Sequence, residues 1–173
     1  MQSLTMVLGG AASGKSAFAE GVARDAGNAR HYIATAQAFD DEMRAKIARH
    51  QQTRRADGWT THEIPMDVAL ALANFTTADV VLLDCATLWL TNQLMADADL
   101  AAASTALTLA LSACPAQVVV VTNEVGQGIV PEHAMSRKFR EAQGTLNQMI
   151  AREASLVVQV IAGLPQCLKG QLP

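Results

Sequence analysis

Residues Gly9-Gly10-Ala11-Ala12-Ser13-Gly14-Lys15-Ser16 follow the pattern G-x-x-x-x-G-K-[ST], the Walker A loop, which wraps backbone N–H groups around a nucleotide's phosphates. Such a loop constrains a fold strongly. It needs a buried strand at its front and a helix at its back, so that N–H groups and the positive helix end converge on negative charge. Leu4 to Leu8 is a short apolar run, and Ser16 to Ala26 carries Phe18, Val22 and Ala26 at helical spacing. Strand, loop and helix arrive in the required order. The glycines let the backbone approach the phosphates, Lys15 is expected to reach the β- and γ-phosphates, and Ser16 to hold Mg²⁺. An ordinary glycine-rich β-α turn is the competing reading, and it rarely comes with this flanking pattern.

At 173 residues, half of them hydrophobic, the chain is expected to form one catalytic domain, residues 1–173, with a sheet covered by helices on both faces. A formal charge of −3, a pI near 5.7 and 4% aromatic residues leave no large basic surface for a nucleic-acid backbone. Cys85, Cys114 and Cys167 are odd in number and far apart, which suggests neither a disulfide framework nor a zinc site and fits a reducing cytoplasm. The first apolar run has no basic region before it, and Leu100 to Cys114 is too short and too rich in Ser and Thr to span a bilayer. No export signal and no membrane segment are expected.

Beyond the first helix, the pattern predicts a strand at His31 to Ala34, a helix from Asp40 to Arg55, an extended piece from Trp59 to Ile64 and a helix from Asp67 to Asn74. A strand from Val80 to Leu83 precedes an Ala/Leu-rich helical stretch from Leu88 to Cys114, interrupted near Asp97 and Asp99. Val118 to Val121 is the clearest strand. A loop with Gly126, Gly128 and Pro131 leads into a long helix from about Ser136 to Ala154, and Leu156 to Ile161 is expected to close the sheet before a Gly/Pro-containing tail. This alternation predicts an α/β fold of the P-loop NTPase (RecA-like) kind, a three-layer α/β/α sandwich with a mostly parallel sheet. Ligands in such sheets gather at the carboxyl ends of the strands.

Asp84 ends an apolar strand, as the Mg²⁺-holding acid of a Walker B site does, although any strand can end in Asp at a turn. Glu124, after Thr122 and Asn123, either polarises a nucleophile or is a solvated loop acid. On the expected Asp40 to Arg55 helix, Met43, Ile47, His50 and Arg54 share a narrow stripe, with Arg44, Lys46, Arg49 and Arg55 on the flanks. A histidine there is most often a hydrogen-bonded core residue; the sharper reading is a nucleophile whose attack on phosphorus is helped by surrounding cations. His31, His62 and His133 lack such company. Arg137 and Arg140 either clamp phosphate or form an exposed basic face with Glu141, and Gly144 suggests a tight approach to another element or subunit.

Several segments together resemble a known family: the phosphate loop, His31-Tyr32-Ile33-Ala34-Thr35-Ala36, Arg49-His50 followed by Arg54, and Trp59-Thr60-Thr61-His62-Glu63-Ile64-Pro65. They continue with Leu83-Asp84-Cys85, Leu88-Trp89-Leu90-Thr91-Asn92, Thr122-Asn123-Glu124-Val125-Gly126 and Ile129-Val130-Pro131. Arg137-Lys138-Phe139-Arg140, Gly144, Asn147-Gln148 and Ala162-Gly163-Leu164-Pro165 complete the set. Over nearly its whole length the chain resembles the bifunctional adenosylcobinamide kinase / adenosylcobinamide-phosphate guanylyltransferase of cobalamin biosynthesis.

The resemblance implies two reactions. The γ-phosphoryl group of ATP or GTP goes to the hydroxyl of adenosylcobinamide; GMP from GTP then goes to adenosylcobinamide phosphate through a guanylylated histidine, releasing pyrophosphate and giving adenosylcobinamide-GDP. By motif position that histidine is His50. Carried over in the same way, Gly9 to Ser16 hold the phosphates, Ala34, Thr35 and Ala36 with Gln51, Gln52, Thr53 and Arg54 border the guanine nucleotide, and Glu63 and Asp84 complete the site. Family members often have Arg in place of Ala12 and a basic residue in place of Gln51, which puts less positive charge near the phosphates here. A cytoplasmic homo-oligomer is expected. A P-loop small-molecule kinase without the nucleotidyl step is the alternative; a signalling GTPase would need Asn-Lys-x-Asp, which is absent, and a recombinase-type motor would need a groove for DNA.

Overall fold

A computed structural model describes residues 3–27, 29–37 and 56–172. The expected helix from Asp40 to Arg55 lies outside the described residues, as does His50. In chain order the elements are β1 (Leu4–Gly9), α1 (Lys15–Asp25), β2 (Ala29–Ala34), β3 (Trp59–Glu63), α2 (Val68–Leu72) and β4 (Asp79–Asp84). There follow α3 (Ala86–Met95), α4 (Leu100–Ala113), β5 (Gln117–Asn123), α5 (Ala134–Glu153), β6 (Leu156–Ile161) and β7 (Leu164–Lys169).

The strands form one seven-stranded sheet in the order β3-β2-β4-β5-β1-β6-β7. All neighbours are parallel except β6 and β7. Central strands of such a sheet are buried on both faces and read as continuous apolar runs. Val118, Val120, Val81 and Leu83 point to the face covered by α2 to α5, while Val119, Val121, Val80 and Leu82 point to the face where Ala19 and Ala23 of α1 pack. The result is the three-layer α/β/α sandwich expected of a P-loop NTPase (RecA-like) fold.

The expected Ala/Leu-rich helical stretch is two helices. Asp97 turns the chain with φ 54°, and the Asp99 carboxylate caps α4 by accepting from the N–H groups of Ala101 and Ala102 at 3.0 Å. The sheet does not close at β6. Ala162 and Gly163, with φ 51° and 79°, make a two-residue turn into the antiparallel strand β7, all of whose residues are exposed. The approach expected at Gly144 is not found within the described residues, because nothing lies within 4 Å of where its Cβ would stand. Among the described residues no helix is long and apolar enough to cross a membrane.

Candidate active site

Gly9 and Lys15 bracket the loop between β1 and α1. Within it the Ser13 N–H donates to Gly10 O at 3.3 Å and Lys15 Nζ donates to the same carbonyl at 3.0 Å. A Cβ on Gly9 would stand 2.5 Å from Ser13 Oγ and 2.6 Å from Val160 O. The second of these is main chain, so only glycine fits. The β6–β7 turn supports the loop from the side: Gly163 N–H donates to Ser13 O at 2.8 Å. That hydrogen bond gives an otherwise exposed turn a place in the site. A cleft of about 380 Å³ opens beside it, with Gly10 to Ser13 on one wall, Glu124 and Gln127 on another and Ile161 and Ala162 on a third.

Three adjacent strands end together on the other side of the sheet. Ala34 is in register with Glu63 of β3 and with Asp84 of β4. The Tyr32 hydroxyl donates to Asp84 Oδ2 at 2.7 Å. Next to Asp84, burial pushes the Cys85 thiol up to about 11; the Asp84 charge adds to the rise and the Lys15 charge opposes it. Thr35, fully buried, exchanges two hydrogen bonds with Cys85: its hydroxyl donates to Cys85 O at 2.8 Å and accepts from Cys85 N–H at 2.9 Å. Of the residues expected to border the nucleotide, Ala34, Thr35, Ala36, Glu63 and Asp84 are thus gathered at one sheet end, while Gln51, Gln52, Thr53 and Arg54 lie outside the described residues.

At the end of β5, Glu124 N–H donates to Gly9 O at 3.2 Å, and the Glu124 carboxylate accepts from Gly126 N–H. A buried network sets this strand end: Thr122 Oγ1 donates to Asn147 Oδ1 at 2.7 Å, Gln143 donates to both, and Thr87 Oγ1 accepts from Asn123 N–H at 2.8 Å. The two arginines of α5 hold the loop that follows. Arg140 donates to Gly126 O and Ile129 O, and Arg137 to Pro131 O and Glu132 O. Both guanidinium groups thus hold main-chain carbonyls of the loop that follows β5.

Two of the histidines without cationic company pair with each other. His31 Nδ1 lies 3.0 Å from His62 Nε2, and His31 Nε2 lies 3.2 Å from Asp79 Oδ1. Phe75 packs against both rings. Burial, then the neighbouring His31 charge, holds His62 below its ordinary value. Among the described residues no group of three or more His, Cys, Asp or Glu side chains is placed to hold a metal ion.

A family model described as cobinamide kinase / cobinamide phosphate guanyltransferase matches residues 5–168. The chain is 43% identical over 169 residues to a bifunctional adenosylcobalamin biosynthesis protein, CobP, of Pseudomonas aeruginosa, covering 96% of this chain and 97% of that one. It is 41% identical over 177 residues to the corresponding protein, CobU, of Salmonella typhimurium, covering 93% and 97%. Among solved structures, the flagellar accessory protein FlaH of Methanocaldococcus jannaschii superposes with a TM-score of 0.54 at 12% identity, over 98% of this chain and 79% of that one; this likeness concerns the fold alone. The match along 5–168 takes in the loop, the strand ends and the β6–β7 turn together, and the chain belongs to the cobinamide kinase / cobinamide phosphate guanyltransferase family.

Proposed function

We propose that this chain is a single catalytic domain that phosphorylates adenosylcobinamide with ATP or GTP and then transfers GMP from GTP to the adenosylcobinamide phosphate, working in the cytoplasm as a homo-oligomer. The observation that carries the reading is the phosphate loop seated between β1 and α1 with Asp84 at the end of β4 in the same sheet, in a chain whose family does this chemistry. The backbone from Gly9 to Ser16 binds the phosphates, and Lys15 leaves Gly10 O to meet charge on them. Ser16 and Asp84 fit a hard cation that takes few protein oxygens and completes its shell with phosphate and water. Mg²⁺ bound there would neutralise charge at the phosphorus under attack.

In the first reaction the acceptor hydroxyl oxygen bonds to the γ-phosphorus as the bond to the β-phosphate oxygen breaks, and the hydroxyl proton is released to solvent. In the second, an imidazole nitrogen of His50 bonds to the α-phosphorus of GTP and pyrophosphate leaves. An oxygen of the substrate phosphate then displaces the imidazole, giving adenosylcobinamide-GDP and free His50. Ala34, Thr35, Ala36 and Glu63, with Gln51 to Arg54, would orient the guanine nucleotide. Ala12 and Gln51 supply no charge, so the phosphates rely on main-chain N–H groups and Lys15.

Only the second reaction uses His50, and that separates the two steps experimentally. The His50→Ala variant is expected to retain phosphorylation of adenosylcobinamide while losing pyrophosphate release from GTP. Equal loss of both activities in a folded variant contradicts this division. A wild type that phosphorylates but never releases pyrophosphate would be a kinase only.

A further inference from the structure

We infer that Asn92 is a positioning residue for guanylyl transfer: its one side-chain amide ties Thr35, in a segment expected to border the guanine nucleotide, to Pro65, two residues beyond Glu63. The inference rests on the proposed guanylyl-histidine reading. Asn92 is 7% exposed, and its Nδ2 donates to Thr35 O at 2.8 Å and to Pro65 O at 2.9 Å. Thr35 directly follows β2 and Pro65 lies just beyond β3, so the two carbonyls belong to different strands' exits. Residues 36–58, which include His50, lie between the exit of β2 and the start of β3, and β3 itself leads on to Pro65.

The same helix face makes further bonds of this kind. Trp89 Nε1 donates to Met66 O at 2.8 Å and Gln93 Nε2 to the same oxygen at 3.1 Å. Thr35 is in turn locked to the Cys85 peptide, next to Asp84. Asn92 therefore closes a chain of neutral contacts running from the strand-end acid through Thr35 to the Glu63-Ile64-Pro65 segment. These contacts add little to the apolar core, which α3 builds with Ala86, Trp89 and Leu90. Their partners are main-chain carbonyls at strand exits, and what they fix is position. Loss of both N–H groups leaves two carbonyls without those donors and lets the exits shift, and shifts of about 1 Å at a reacting geometry cost on the order of 100-fold in rate.

The test measures, on the intact protein, the rate of labelling by α-labelled GTP, the rate of adenosylcobinamide phosphorylation, and thermal melting. Asn92→Leu and Asn92→Asp remove the donors; Asn92→Gln keeps them one methylene further out; Thr91→Ala, which loses only the bond to Thr87 O within α3, controls for the helix. Labelling is expected to fall on the order of 10-fold to 100-fold in the Leu and Asp variants, to recover partly in the Gln variant and to stay unchanged in the control. Phosphorylation with ATP, which uses the loop and Asp84 but no contact with guanine, is expected to stay within about 3-fold of wild type. Normal labelling of the folded Leu and Asp variants overturns the inference. So does an equal fall of both activities, and so does failure of all three Asn92 variants to fold, which would make the residue a pillar of the fold. An unlabelled wild type would sink the guanylyl-histidine reading and this inference with it, whereas a labelled wild type beside normally labelled variants sinks this inference alone.

Discussion

The phosphate loop and the exits of β3, β2 and β4 are held in place by different means. Around β1, β5, β6 and β7 the phosphate loop is fixed by main chain against main chain: Gly163 N–H on Ser13 O, Glu124 N–H on Gly9 O, and a Gly9 that has no room for a Cβ. Around β3, β2 and β4 the strand exits are fixed by side chains, with Asn92, Trp89 and Gln93 reaching across to carbonyls and Tyr32 to Asp84. Main-chain fixing needs particular glycines at set spacings, whereas side-chain fixing can use any donor of suitable length from a distant part of the chain. Changes at glycine or lysine in the first region should therefore affect both reactions alike, and changes in the second should affect one selectively.

The sharpest way to break this contrast is Lys15→Ala. Both reactions pass through the loop, so each is expected to fall on the order of 100-fold to 1000-fold, as when a preorganised charge-stabilising group is removed. Assays of γ-phosphoryl transfer and of pyrophosphate release check this; full phosphorylation would remove the loop from the mechanism. Gly9→Ala comes next. Its Cβ would meet Val160 O at 2.6 Å, and overpacking of this kind costs about 1–3 kcal/mol, so denaturant midpoint and nucleotide affinity should fall together. A variant with wild-type values for both would show that the loop yields more than the geometry allows.

Smaller effects probe the turn and the histidine pair. Gly163→Ala meets no neighbour within 4 Å but must adopt φ 79°, at a cost of about 1–2 kcal/mol. Nucleotide binding should weaken modestly for both reactions alike, as a change at the loop should, and an effect confined to guanylyl transfer would blur the contrast. The smallest effect is on pH. His62 is held below its ordinary 6.5, so the unfolded chain takes up the proton first as acid is added; stability is complete above about 6.5 and declines as pH falls toward the lowered value. Melting temperature measured against pH should drop less steeply in that range for His62→Gln than for wild type, and parallel curves would exclude His62 as the source.

The same difference decides how much of the molecule could be read from the residues. The loop, the Val80–Leu83 and Val118–Val121 runs and the Asp84 strand end were legible because glycine spacing and apolar runs are local signals. Strand β7 was not, since Leu164-Pro165-Gln166-Cys167-Leu168-Lys169 is exposed at every position and an edge strand that buries no face leaves no periodicity to detect. The contacts of Asn92 with Thr35, and of His31 with Asp79, join residues 57 and 48 positions apart. No spacing rule within a segment reaches that far. Arg137 and Arg140 were legible as charges near the Gly126 loop, but that they bond its carbonyls depends on how the loop folds back over α5.

One measurement bears most directly on the claim that an imidazole of this chain carries the guanylyl group. The protein is incubated with Mg²⁺ and GTP labelled in the α-phosphate, the label is tested for stability in acid and in base, and the labelled peptide is sequenced. The account predicts a bond labile to acid and stable to base, located at His50. A label stable to acid, or one found on another residue, would contradict it.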